Sequence, residues 1–156
     1  MDKYKGEMRF TDYFSFLNRQ NPSRIFRRCD EKRIQELVRQ FGRLPAAYLE
    51  FMRYAGNGSF WVGSDCSFDD LPVLRGYADE LLEENAFSKR LPDDAFVFWM
   101  HQGYMFCFFC LSDGDDPPVY YYSEGAVLSD FVKCSGSFTE YIMKEDGCYR
   151  HPSEIR

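Results

Sequence analysis

The sequence predicts an α+β fold, with a mainly antiparallel sheet packed against helices in a single compact domain. Two patterns and the composition point there. Through the first 55 residues, apolar side chains recur at i, i+3, i+4, i+7, the period of helices with one buried face. Between 95 and 123 the pattern changes to short runs rich in Phe, Val, Tyr and Trp divided by turn residues, as in an antiparallel meander. The 156 residues include 16 Phe and 11 Tyr, which suit a pleated, half-buried surface and exclude a disordered or collagen-like chain.

Taken in order, Phe10, Tyr13, Phe14 and Leu17 share one helical face, with Thr11 and Asp12 as entry residues and Asn21-Pro22 as the stop. Basic Arg24, Arg27 and Arg28 follow, and residues 1–29 read as a helical extension lying on a domain formed by 30–156. Asp30 is placed to N-cap a helix over 31–42 carrying Ile34, Leu37, Val38 and Phe41, with Gly42 ending it in a left-handed conformation. Leu44-Pro45 restarts a helix over 45–55, with Pro45 in its first position and Tyr48, Phe51, Met52 and Ala55 inward. Asn57-Gly58 turns the chain into a short strand over 59–63, which contains Trp61. An acidic loop over 64–76 holds Asp65, Asp69 and Asp70 around an apolar piece at 71–74. A helix over 77–89 follows, burying Ala78, Leu81 and Leu82.

Strands are expected over 95–100, 104–111 and 118–123. The near-continuous apolarity of 104–111 marks a central strand covered on both faces. Ser137 and Glu140 form a capping box that opens a last helix over 137–145, with Phe138, Tyr141 and Ile142 buried.

Several chemistries are weighed and set aside. Cys107 and Cys110 form a C-x-x-C pair, but on a strand residues three apart face opposite ways, and no second pair stands at zinc-ribbon spacing. A calcium loop starting at Asp113 would need glycine at its sixth position, where Pro118 stands. His101 with Cys107 or Cys66 lacks a nucleophile elbow, and no glycine-rich phosphate loop is present. The expectation is therefore no enzyme, no metal and no cofactor. No apolar run reaches the length of a membrane span and no signal peptide is evident. The chain is expected in the cytoplasm with its six cysteines reduced.

The net charge of −6 is uneven: residues 1–40 carry +4 and residues 41–156 carry −10. An acidic body is unsuited to gripping nucleic acid directly and would steer basic ligands or basic proteins toward itself, with ordinary solubility charge as the competing role. Trp61 and Tyr120-Tyr121-Tyr122 are aromatic enough for interface anchors, with core packing as the competing role of each.

The order of several short motifs resembles the Smi/Knr-type branch of the SUKH superfamily. They are Phe41-Gly42, then Leu44-Pro45 with Tyr48 and Phe51, then Ala55-Gly56-Asn57-Gly58. Further on stand Leu91-Pro92, Pro118-Val119-Tyr120-Tyr121-Tyr122 and Ser137-Phe138, so that the likeness covers roughly residues 30–145. The resemblance implies an α+β domain with helices against a mainly antiparallel sheet. It also implies a protein-binding role: immunity against toxins, often nucleases, in bacteria, and regulation of cell-wall assembly in a fungal relative. The family supplies no catalytic residues to carry over.

The expectation is an immunity protein that neutralises a basic toxin domain by stoichiometric binding. Its contact residues would be Asp65, Asp69 and Asp70 in one loop, Asp113, Asp115 and Asp116 in another, and Trp61 as anchor. A regulatory scaffold recruiting cellular proteins is the alternative. An enzyme would require a convergent polar pocket around His101.

Overall fold

Four strands, β1 (Ala95–His101), β2 (Met105–Cys110), β3 (Val119–Ser123) and β4 (Val132–Ser135), form a meander in which each pairs antiparallel with the next. The computed structural model describes residues 10–57, 60, 70–126 and 129–144. Strand β2 lies inside the sheet, and its Phe106, Cys107, Phe108 and Phe109 are all buried, which is the two-sided covering its apolar run predicts. Gln102 and Gly103, both at positive φ, make the β1–β2 turn, a shape matched to the right-handed twist of paired strands.

Strand alternation sends two sets of aromatic rings to the two faces of the sheet. On one face Phe96, Phe98 and Phe109 meet Tyr48 and Phe138. Tyr48 lies 5.2 Å from Phe96, 5.3 Å from Phe109 and 5.5 Å from Phe138, each in the favourable edge-to-face arrangement. Phe98, two residues beyond Phe96, joins the same cluster, and a bulge between Val97 and Trp99 then shifts the register so that Trp99 pairs with Cys107. On the other face Phe106 meets Tyr122, and Phe108 meets Tyr120 and Phe131. The three tyrosines of β3 therefore divide as a strand requires, Tyr120 and Tyr122 to one face and Tyr121 to the other.

Five helices accompany the sheet among the described residues. They are α1 (Thr11–Gln20), α2 (Glu31–Phe41), α3 (Ala46–Ala55), α4 (Leu71–Glu84) and α5 (Phe138–Lys144). Helices α3 and α5 supply Tyr48 and Phe138 to the first face; α4 packs on β1. Helix α1 buries Phe10, Tyr13, Phe14 and Leu17, and Phe14 stacks on Tyr54 of α3 at 4.6 Å, so the extension shares its core with the domain.

Acidic residues close most of the helix N-termini, where unpaired N–H groups and the helix dipole favour a carboxylate. Asp30 accepts from the Arg33 N–H at 2.9 Å, as its position predicts. The other three caps come from elsewhere in the chain. Buried Glu50 accepts from the Phe10 N–H at 3.3 Å. Asp115 accepts from the Ala46 N–H through its carboxylate at 3.3 Å and from the Ala47 N–H through its backbone carbonyl at 2.9 Å. Asp116 accepts from the Thr139 N–H at 2.9 Å, joining the Ser137 hydroxyl, which accepts from the Glu140 N–H at 3.1 Å.

Some boundaries differ from the sequence reading. Helix α4 starts six residues earlier than expected, because Leu71, Leu74, Ala78, Leu81 and Leu82 make one buried stripe and Pro72 sits in the first turn, where its missing N–H costs nothing. It stops by Asn85 because Ala86 takes a left-handed φ of 51°. Pro45 occupies the cap position rather than the first helical one. Gly42 has the expected positive φ of 80°, but its ψ of −135° is extended rather than left-handed helical, a region open essentially to glycine. Strand β4 was not expected: it is four residues long, and the alternation of Val132 and Cys134 with Lys133 and Ser135 is too short to stand out from a loop. The strand expected over 59–63 lies outside the described residues except for Phe60, which is buried against Phe51.

Candidate protein-binding surface

Helix α4 has two unlike faces. Leu71, Leu74, Ala78, Leu81 and Leu82 point into the core. Val73, Tyr77, Glu80 and Glu84, spaced i, i+4, i+7, i+11, form a stripe on the opposite side. Tyr77 is 53% exposed and Val73 45%, and with Ile25 they are the exposed large apolar side chains of the described residues. Between them Gly76 leaves open space where a Cβ would stand, which flattens the helix surface beside the tyrosine. Glu80, Glu83 and Glu84 are all exposed around this apolar spot. On the flank, Arg75 turns back to Asp79 at 3.0 Å and to the carbonyls of Pro92 and Ala95, so this basic group is held toward β1. The outward surface thus combines an aromatic anchor with carboxylates, the composition of a contact for a basic protein.

The acidic residues singled out in the sequence fall into three groups. Asp70 is half-buried at the start of α4, and its backbone carbonyl accepts from Val73 and Leu74, which places it at one end of the stripe. Asp113 lies exposed in the 3₁₀ turn Leu111–Asp113, near Cys110 and Tyr120. Asp115 and Asp116, although neighbours of Asp113, are drawn to the other side of the sheet by the caps of α3 and α5, and Asp115 also pairs with Arg43 at 2.8 Å. The structure thus separates Asp113 from its two neighbours. Asp65, Asp69 and Trp61 lie outside the described residues.

The Tyr77 and Val73 surface was missed because the sequence reading began the helix at 77. Starting the helical wheel at Leu71 would have set Val73 and Tyr77 opposite Leu74, Ala78 and Leu81.

Of the groups considered for catalysis or metal binding, Cys107 and Cys110 face opposite sides of the sheet, and Cys66 lies outside the described residues. Cys107 is buried with its Sγ 3.4 Å from the Tyr141 hydroxyl, while Cys110 faces the opposite side of the sheet. Burial and the nearby Asp94 and Asp113 carboxylates push the Cys110 thiol up to about 11, so it stays protonated at neutral pH and is a poor nucleophile or ligand. His101 stacks on Trp99 with ring centres 6.0 Å apart and meets Tyr104 edge-on. Among the described residues no group of three His, Cys, Asp or Glu side chains is positioned to hold a metal ion. No helix among them is long and apolar enough to cross a membrane.

Comparison with known families matches residues 28–144 to the SMI1 / KNR4 family (SUKH-1). Comparison with individually curated proteins found no match.

Proposed function

Because the chain belongs to the SMI1 / KNR4 family (SUKH-1), we propose that it is an immunity protein that neutralises a basic toxin domain of the nuclease type by stoichiometric binding. The observation that carries this reading is the outer stripe of α4, where Tyr77 and Val73 are exposed beside Glu80 and Glu84. A nuclease needs a basic cleft to hold phosphates, and an acidic surface is steered onto such a cleft at an enhanced rate. Tyrosine supplies a rigid contact that loses little side-chain entropy on binding. The proposed contact also takes in Asp70, which opens the helix, and Asp65, Asp69 and Trp61, which precede it in sequence. Asp113 is exposed in the turn after β2, and Asp115 and Asp116 cap helices of the fold. The mechanism is occlusion: one immunity chain covers the surface by which one toxin domain grips its substrate.

Co-expression tests this directly. A toxin domain encoded beside this gene should arrest growth alone, be tolerated when this chain is present, and co-purify with it in a 1:1 complex. Growth arrest that persists despite expression of the folded chain, with no complex formed, would refute the proposal.

A further inference from the structure

The N-terminal part of the chain presents a surface of opposite character. Helix α1 and the segment 22–28 enclose a groove of about 470 Å³, lined by Phe14, Phe26 and Tyr54 as apolar walls and by Arg24 and Arg28 as charged ones. The floor is fixed: Tyr54 stacks on Phe14, and its hydroxyl lies 3.0 Å from Thr11 Oγ1. Arg24 is held in place with its guanidinium 4.6 Å from the Phe26 ring centre and an N–H donated to the Phe60 carbonyl at 2.7 Å. Arg28 donates through Nε to the Arg53 carbonyl at 3.0 Å. Among the described residues no carboxylate lines the groove, and between Asp12 and Asp30 the chain carries Arg19, Arg24, Arg27 and Arg28 with no acidic residue. At its edge Ile25 is 78% exposed.

From this geometry we infer that the groove docks an acidic protein segment carrying an apolar side chain, its carboxylates meeting Arg24 and Arg28 and its apolar group packing on Ile25 and Phe26. Pre-oriented guanidinium groups pair with carboxylates through paired donors, which is how arginine clusters read acidic motifs. The charge distribution favours such a segment over nucleic acid. Among the described residues two arginines line the groove, whereas a duplex presents a charge about every 1.7 Å and calls for a longer basic track. The surface is separate in residues and in sign from the α4 stripe, so the chain has one face for a basic partner and another for an acidic one.

The test uses the full chain and a fluorescein-labelled dodecapeptide of Asp and Glu with a central Leu-Phe. Fluorescence anisotropy should show saturable binding that weakens with salt. Affinity should fall at least about tenfold, equivalent to about 1.4 kcal/mol, in Arg28→Glu and in Ile25→Ser, and stay within about twofold in Lys133→Glu, which makes the same charge change as Arg28→Glu at an exposed position on β4. Thermal melts of the variants confirm that each is folded, and two independent substitutions guard against the loss of either. The inference is overturned if the acidic peptide does not bind or if a version with Lys in place of its carboxylates binds equally. Tighter binding of a twelve-residue oligothymidine would overturn it in favour of nucleic acid. A dimer mass by light scattering that Ile25→Ser abolishes would overturn it in favour of self-association.

Discussion

Removing the Asp116 carboxylate should destabilise the fold much more than removing that of Asp113, although the two stand three residues apart on one loop. Asp116 Oδ1 accepts from the Thr139 N–H at 2.9 Å, and Thr139 is fully buried in the first turn of α5. Helix α5 has seven residues and carries Phe138 and Ile142, both fully buried. An isolated helix that short has no stability of its own, so its cap and its packing hold it. Asp116→Ala loses a cap worth about 1 kcal/mol and leaves a buried donor without its acceptor, for a total of about 1–2 kcal/mol. With a urea m-value of about 2 kcal/mol/M, that moves the midpoint down by roughly 0.5–1 M. Asp116→Asn keeps an acceptor and gives up only the charge, so it should recover most of the loss. Asp113→Ala, at an exposed position, should stay within about 0.5 kcal/mol. Urea unfolding followed by tryptophan fluorescence reads all three. Equal midpoints for Asp116→Ala and Asp113→Ala would refute the assignment of Asp116 to the fold.

Three further outcomes follow from the same contacts. The Cys110 thiol, raised from 9.0 to about 11, should be alkylated by iodoacetamide at pH 8 about tenfold more slowly in the folded protein than in urea, the smaller thiolate fraction being partly offset by the greater nucleophilicity of a more basic thiolate; equal rates by peptide mass spectrometry would contradict its protonated state. The Ser112 hydroxyl and backbone N–H hold the Asp94 carboxyl below its ordinary 3.8, so its stabilisation is complete above that value and is lost as pH falls through the lower folded one. Asp94→Asn should thus destabilise at pH 7 and converge on the parent in acid below about 3.8, and a gap that stays constant in pH-dependent melts would count against this. Tyr48→Ala, which empties the centre of the ring cluster between α3, α5 and the sheet, should cost about 3–5 kcal/mol, checked by calorimetry against a loss below 1 kcal/mol.

What the sequence revealed divides along the range of the interactions. Local patterns carried well: the apolar period of α1, α2 and α3, the Asp30 cap, the Ser137 cap and the buried run of β2 each depend on residues within a few positions of one another. The caps of α1, α3 and α5 by Glu50, Asp115 and Asp116 did not show, because they join residues 40, 69 and 23 positions apart and leave no spacing signature. That is why Asp115 and Asp116 read as free loop charges. Helix α4 was misplaced because Gly76 and the acidic residues before it look like loop, although glycine on a solvent face lowers helix stability by only about 1 kcal/mol. Moving its start to Leu71 turned Tyr77 from a helix-entry residue into the centre of an exposed face.

The central claim is that α4 presents the toxin-binding stripe, and association kinetics with the cognate toxin domain test it most directly. Glu80→Lys/Glu84→Lys should slow association at low salt by about tenfold or more, and the deficit should shrink at high salt as screening removes the steering. Tyr77→Ala should leave the on-rate nearly unchanged and raise the off-rate, as a desolvated anchor does. On-rates and off-rates equal to those of the parent chain, with all variants folded, would contradict the account.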